Sequence, residues 1–325
     1  MSNTASAPLP PAFAMDVINN RRADGVLIAA HRGAWLVEPE NSVPALEACV
    51  TMGVAIMEID VQLTADRQLV VIHDPTVDRM TNGSGPVRDH TLAELKALRL
   101  YERDGAPCDI WKRKLLTNVQ LATLAEIFEA ARGRILLNLE IKSNEKYGLV
   151  ETFAAARQLA LDMEVADHVL WKVPAATRPH DLDLLPGFRG DAGATALAST
   201  IVDGLDTSGL SSLAPIVWQS QRSFAQQIGD FSGHTNTPVF EIVARDIGYW
   251  PVSDGGRLPG AERYCYMGVA VLPEWCAGLS DELALRDPDA AWGRLIDMGC
   301  RILMTDRPEQ LVKYLNRRGL LARRS

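Results

Sequence analysis

Apolar positions along the chain fall into short solid blocks separated by stretches of helical spacing. Residues 26–30 (Val-Leu-Ile-Ala-Ala) read as a buried strand. Residues 42–52 read as a helix, with Asn41 or Ser42 as N-cap, Pro44 in its first turn and Gly53 as its stop. Residues 54–63 and 69–72 are strands. Thr91-x-x-Glu94 and Thr123-x-x-Glu126 are capping boxes that open two helices. Residues 135–141 are a strand, 147–163 have helical spacing, and 168–173, 215–219 and 238–243 are further strands. A helix over 288–298 has Asp287 as its cap and Gly299 as its stop, before a last strand at 301–304 and a last helix at 308–317. Strand and helix alternating to the end of the chain is the signature of a parallel α/β fold. Eight or nine strand candidates suit a closed TIM (β/α)8 barrel better than an open doubly wound sheet. The first strand ends in His31-Arg32-Gly33, not in a glycine-rich dinucleotide loop.

Composition narrows the classes. The 325 residues are 47% apolar and 23% charged, ordinary for a globular protein. Lys and Arg number 33 against 41 Asp and Glu, a formal charge of −8, which argues against a nucleic-acid partner. No apolar run approaches the ~18–20 residues of a membrane span, so stable membrane insertion is not expected. Residues 1–24 lack a basic region followed by an apolar one, and five scattered cysteines form no CxxC pair; the expected location is the cytoplasm. Residues 1–24, rich in Ala, Pro and Ser, read as a loosely held N-terminal arm. Residues 25–318 read as the barrel, and 319–325 as a basic tail at a solvated helix end. Two turn-rich stretches, 75–118 and 246–281, exceed what short barrel loops need and are expected over the mouth.

Misplaced polarity marks the chemistry. In Met57-Glu58-Ile59-Asp60-Val61 the apolar residues share one face, and Glu58 and Asp60 share the other, roughly 6–7 Å apart along a strand. Asn138 and Glu140 in the 135–141 strand, with Lys142 directly after it, repeat the pattern. A half-exposed antiparallel strand would alternate likewise, but in a parallel barrel both polar sets lie near the C-terminal end, where such folds place their sites. Three converging carboxylates need compensation, and oxygen-only ligands favour Mg²⁺ or Ca²⁺. His31 ends the first strand. Only twelve residues separate Asp60 from His73, so the segment is expected to fold back as a hairpin and return His73 to the carboxylates. Two histidines there suit acid–base work, while Arg32 and Lys142 supply local positive charge for a phosphoryl group.

His31-Arg32-Gly33, Pro39-Glu40-Asn41-Ser42, Glu58-Ile59-Asp60, His73-Asp74, Glu140-Ile141-Lys142 and Thr305-Asp306-Arg307-Pro308 come in the order and spacing of glycerophosphodiester phosphodiesterases, and residues 26–318 resemble that family. The resemblance implies a TIM barrel with a small inserted subdomain after the His-Asp motif, here 75–118. It implies a small-molecule phosphodiester substrate, hydrolysed to sn-glycerol 3-phosphate and an alcohol. His31 and His73 would be the acid–base pair, and Glu58, Asp60 and Glu140 the metal ligands. Arg32 and Lys142 would contact phosphate, and Glu40 and Asn41 would support the mouth. At the fifth strand, where many members carry Ser-Phe, this chain has Val169-Leu170-Trp171-Lys172, and Lys172 is a further candidate phosphate contact. Near the seventh strand neither Phe240-Glu241-Ile242 nor Val269-Ala270-Val271-Leu272 matches the Trp-Thr-Val-Asn-like run of many members. Competing readings are a lysophospholipase D or cyclising phosphodiester lyase on the same site, and a non-catalytic barrel that binds sugar phosphates. An amidohydrolase-type barrel would need an H-x-H pair on the first strand, which is absent. Asp306 is read as helix-start chemistry, and His90, His168, His180 and His234 as structural or exposed.

Overall fold

The computed structural model describes residues 9–20, 25–103, 114–142, 144, 146–174, 212–220, 222–231, 236–250, 258, 260 and 262–323. Eight parallel strands close on themselves: β1 (Leu27–Ala30), β2 (Ile56–Leu63), β6 (Leu136–Ile141), β7 (Val169–Pro174), β8 (Ser212–Trp218), β9 (Val239–Val243), β10 (Cys265–Val269) and β11 (Ile302–Thr305). The ring is sealed where β1 pairs with both β11 and β2. β3 (Leu69–Val71) lies outside it, folded back antiparallel on residues 61–63 of β2. The hairpin expected before His73 therefore forms. Because β3 takes the outer half of β2, β1 meets β2 only at Ala29↔Ile56 and Ala30↔Met57, and the rim opens there. With β3 outside the ring, the strand carrying Lys172 is the fourth of the barrel and not the fifth.

The strand interior is sorted by height. Leu27, Ala29, Ile56, Leu136, Leu170, Ala214, Val239, Met267 and Ile302 form an apolar cluster at the lower and middle levels. His31, Glu58, Asp60, Asn138, Glu140, Lys172, Glu241 and Asp306 follow on the same alternating face, nearer the C-terminal ends. The opposite faces of the strands, such as Ile28, Met57, Ile59, Leu137 and Leu139, pack on the outer helices.

Helix α1 (Pro11–Asn19) closes the bottom. Ala14 and Ile18 are fully buried in the same cluster as the lower strand residues, and α1 touches the turn that precedes β7. Residues 11–19 are thus a docked helix and not part of a loose arm; the apolar spacing of Ala14 and Ile18, one helical turn apart, puts both on one face. α2 (Val43–Met52) starts at Ser42, whose hydroxyl accepts the Ala45 N–H at 3.2 Å, and stops at Gly53 with φ 75°. α3 (Leu92–Ala97) and α4 (Leu124–Ala131) open with both expected capping boxes. α5 (Leu149–Asp162), α6 (Phe224–Asp230), α7 (Asp281–Ala284), α8 (Arg294–Asp297) and α9 (Pro308–Arg318) follow, with a π-helical turn, Asp289–Gly293, leading into α8.

Two stretches read as loops hold more order than expected. β10 lies inside 246–281, hidden in the sequence by its brevity and by Gly268. Between 75 and 118, β4 (Tyr101–Arg103) pairs with β5 (Lys114–Leu116). Val77, Met80, Val87, Leu95 and Leu100 there form a small apolar cluster with Val70 and Ile72 of the hairpin. Trp250 is buried, and Trp275 meets Trp218 edge-on at 5.6 Å.

Candidate active site

The turn after β1 is held by backbone geometry. Arg32 (φ 57°) and Gly33 (φ 85°) are consecutive left-handed residues. A Cβ on Gly33 would lie 2.7 Å from Met57 Cε and 2.9 Å from Ala45 Cβ, so only glycine fits between β2 and α2. The turn brings the Arg32 N–H to Glu58 Oε2 at 3.0 Å, while the His31 N–H donates to Thr305 O at 3.0 Å. Arg32 is the unusual case, since a non-glycine residue at positive φ carries strain that neighbouring contacts must offset.

Glu58, Asp60 and Glu140 converge. Each offers a carboxylate oxygen, and the three atoms lie within 4.8 Å of one another in buried surroundings. Asn41, also left-handed (φ 56°), clamps Asp60 twice: its Nδ2 donates to Asp60 Oδ2 at 2.9 Å, and its Oδ1 accepts the Asp60 N–H at 3.2 Å. Lys142 Nζ lies 2.5 Å from Glu140 Oε1 and 3.1 Å from Asp60 Oδ1. Lys172 Nζ lies 2.8 Å from Glu140 Oε2, 3.2 Å from Glu58 Oε1 and 3.4 Å from Glu241 Oε2. Burial opposes ionisation of Asp60, but Lys142, His73 and Arg32 outweigh it and hold its carboxyl below the usual range. Burial likewise works against the Lys172 ammonium, and Glu140, Glu241 and Glu58 reverse it. Among the described side chains, four carboxylates (Glu58, Asp60, Glu140, Glu241) face Lys142, Lys172 and Arg32, the last 3.6 Å from Asp60, so negative charge remains in excess. An oxygen-only set with that spacing and excess charge fits a hard divalent cation.

The two histidines are built alike. His31 Nδ1 lies 2.8 Å from Asp306 Oδ1, and His73 Nδ1 lies 2.8 Å from Asp74 Oδ1. A carboxylate at Nδ1 fixes the proton there and leaves Nε2 as the acceptor of the neutral ring. Burial disfavours the His31 imidazolium, but Asp306, by charge and hydrogen bond, brings the net shift upward; Arg32 opposes and Glu58 assists.

Several partners were not legible in the sequence. Asp306 Oδ1 also accepts the Trp35 indole N–H at 2.6 Å, and the N-cap of α9 is Arg307, with no side-chain cap. Asp306 is therefore a partner of His31 and does not cap the helix. Arg79 Nη2 donates to Asp74 Oδ1 at 3.0 Å and Nη1 to Glu40 Oε2 at 3.0 Å, while Arg32 Nη1 donates to Glu40 Oε1 at 3.2 Å. One carboxylate thus joins two arginines, and Arg79 ties it to the His73 partner. Gln62 Nε2 donates to Ile72 O, His73 O and Asp74 O at 3.0, 3.3 and 2.7 Å, pinning the segment that carries His73. Gln62 continues the alternation of Glu58 and Asp60, a signal the sequence did offer. Every expected site residue (His31, Arg32, Glu40, Asn41, Glu58, Asp60, His73, Glu140, Lys142 and Lys172) lies in this one network. His90 and His168 instead meet Ser84 O and Asp167. His180 and His234 lie outside the described residues.

Fold and geometry together define a TIM barrel whose mouth holds an acidic trio between two carboxylate-backed histidines. Residues 31–190 match the model of the glycerophosphoryl diester phosphodiesterase family, and residues 213–315 match that of a domain of unknown function. The glycerophosphodiester phosphodiesterase of Caldanaerobacter subterraneus subsp. tengcongensis is 42% identical over 118 residues, 36% of this chain and 45% of that protein. The Bacillus subtilis enzyme of the same name is 33% identical over 136 residues, 42% of this chain and 46% of that protein. The chain thus spans a little under half the length of these curated relatives. A glycerophosphoryl diester phosphodiesterase structure from Parabacteroides distasonis superposes with a TM-score of 0.67 at 21% identity, covering 98% of this chain and 95% of that one. An Oleispira antarctica phosphodiesterase, solved in complex with the product sn-glycerol-3-phosphate, gives 0.58 at 20% identity, covering 90% and 97%. Residues 31–190 of the chain thus belong to the glycerophosphoryl diester phosphodiesterase family.

Proposed function

We propose that this protein is a metal-dependent glycerophosphodiester phosphodiesterase, which hydrolyses its substrate to sn-glycerol 3-phosphate and an alcohol. The observation that carries the reading is the pair of histidines, each with Nδ1 on a carboxylate, flanking the buried trio of Glu58, Asp60 and Glu140. The trio would hold Mg²⁺ or Ca²⁺, which when bound offsets charge on the phosphoryl oxygens. Arg32, Lys142 and Lys172 supply further positive charge to the phosphate, with Arg32 aimed by Glu40 and Asp60 clamped by Asn41. Of His31 and His73, one accepts a proton from the attacking oxygen at Nε2. The other donates a proton to the alcohol oxygen as the P–O bond breaks. Residues 75–118 are proposed as the small insertion over the mouth, a reading supported by their own apolar cluster and by Arg79 reaching into the network. Among the described residues no helix is long and apolar enough to cross a membrane, and Cys49, Cys265, Cys276 and Cys300 are buried free thiols, which supports a cytoplasmic setting.

The test is release of glycerol 3-phosphate from glycerophosphocholine and glycerophosphoethanolamine, with EDTA and then with Mg²⁺ or Ca²⁺ restored. Metal-restored release is the expected result. A cyclic phosphate product would move the assignment to a cyclising lyase. Binding of glycerol phosphate without turnover of any phosphodiester would favour the sugar-phosphate-binding barrel.

A further inference from the structure

Asp281 is a buried carboxylate that no step of the proposed reaction uses. Among the described residues it has no cationic partner; its contacts are all to neutral donors. Oδ1 accepts from Thr305 Oγ1 at 2.7 Å and from the Trp292 indole N–H at 2.8 Å, and Oδ2 accepts the Asp306 N–H at 2.6 Å. Its own N–H donates to Ala270 O at 2.6 Å, one residue past the end of β10. Residue 281 is thus fastened to the end of β10 and grips the end of β11. Thr305 Oγ1 completes the arrangement by accepting the Arg307 N–H at 2.9 Å.

Burying a carboxylate without a cation is unfavourable, so the choice of residue calls for a reason. All three groups facing it are donors. Only an ionised carboxylate is an acceptor at every position, and an asparagine would turn its NH₂ toward one of them. What those donors fix is the backbone of Asp306, the residue whose Oδ1 holds His31 Nδ1 at 2.8 Å and the Trp35 indole at 2.6 Å. We infer that Asp281 is a positioning residue that sets the Asp306 carboxylate and, through it, the imidazole of His31. The inference rests on the proposed acid–base role of His31. Displacing a reacting group by about 1 Å costs as much as 10²-fold in rate, so the backbone anchor of Asp306 matters although Asp281 itself touches no substrate.

The test is a cycle of Asp281→Ala, Asp306→Asn and the double variant, with kcat, KM and thermal melting measured on each, and His31→Ala as reference. Asp281→Ala should lower kcat about 10- to 100-fold with KM changed less than about twofold. In the Asp306→Asn background it should cost almost nothing more, because the partner through which it acts is already lost. Equal losses in both backgrounds would overturn the inference, as would unchanged kcat in a folded Asp281→Ala. If Asp281→Ala does not fold, Asp281→Asn keeps the volume, and the same fall in kcat with KM held is expected; no fall overturns the inference. An active His31→Ala would instead overturn the acid–base reading beneath it.

Discussion

His31 and Asp306, 275 positions apart in the chain, meet at 2.8 Å across the line where the first barrel strand pairs with the last. Asp306 overcomes the burial penalty on the imidazolium and raises its pKa. Asp306→Asn should therefore lower that pKa, and the limb of the pH–rate profile that reports His31 should move to lower pH. The stabilising effect of the charged pair is fully present below the unfolded-state value near ~6.5 and is lost as pH rises through the higher folded value. Asp306→Asn should thus lower the melting temperature more at pH 5.5 than at pH 9. An equal loss at both would show that the pair carries no such linkage.

Removal of one carboxylate of the proposed metal trio should be seen without any assay of turnover. Glu58→Gln or Glu140→Gln should weaken Mn²⁺ binding, followed by paramagnetic resonance, by tenfold or more, since each oxygen lost is a charge lost in a low-dielectric pocket. Lys172→Met should act the other way and tighten binding, because Lys172 Nζ competes for Glu58 and Glu140 at 3.2 and 2.8 Å.

Arg79 links the partner of His73 to the partner of Arg32. Arg79→Lys keeps the charge but loses the two-sided fork, which a point charge does not replace. A rise in KM together with a fall in kcat of about tenfold is expected, since one substitution would loosen both the proposed phosphate contact of Arg32 and the proposed acid–base group His73. A change confined to melting temperature would mark the contact as structural.

The helix beneath the barrel offers a stability test away from the chemistry. Ile18 is fully buried against the lower strand residues. Ile18→Ala should cost about 2–4 kcal/mol in urea unfolding, while kcat of the folded fraction stays unchanged. A loss under ~1 kcal/mol would mean that the site collapses around the missing atoms.

The strand–helix alternation and the misplaced carboxylates were legible in the sequence because both are periodic. Glu58 and Asp60 betray themselves by interrupting an apolar face, and the brevity of the 61–73 segment betrays the hairpin. Asp306, Arg79 and Asp281 were not legible. Their partners lie on other elements, and next to Arg307-Pro308 an aspartate has a sufficient local explanation. β10 was missed for a different reason: its pairing with β9 and β11, not its own composition, makes Cys265–Val269 a strand. The docking of α1 escaped too, since an Ala/Pro-rich opening segment shows only three buried residues, Pro11, Ala14 and Ile18, among those of α1.

The seam between β1 and β11 has a bearing on biosynthesis. His31 is among the first residues of the barrel to leave the ribosome and Asp306 among the last. The Val26 N–H further waits for Leu320 O, at 2.7 Å in the finished molecule. A nascent chain carries the trio of carboxylates long before it carries the group that orients its first histidine. Activity is therefore expected to switch on only at completion of the ring, and a chain stopped before residue 302 should be inert however well its earlier strands have collapsed. A circular permutant opened within a loop on the far side of the barrel would reverse that order, so that Asp306 and His31 are made before the carboxylate trio.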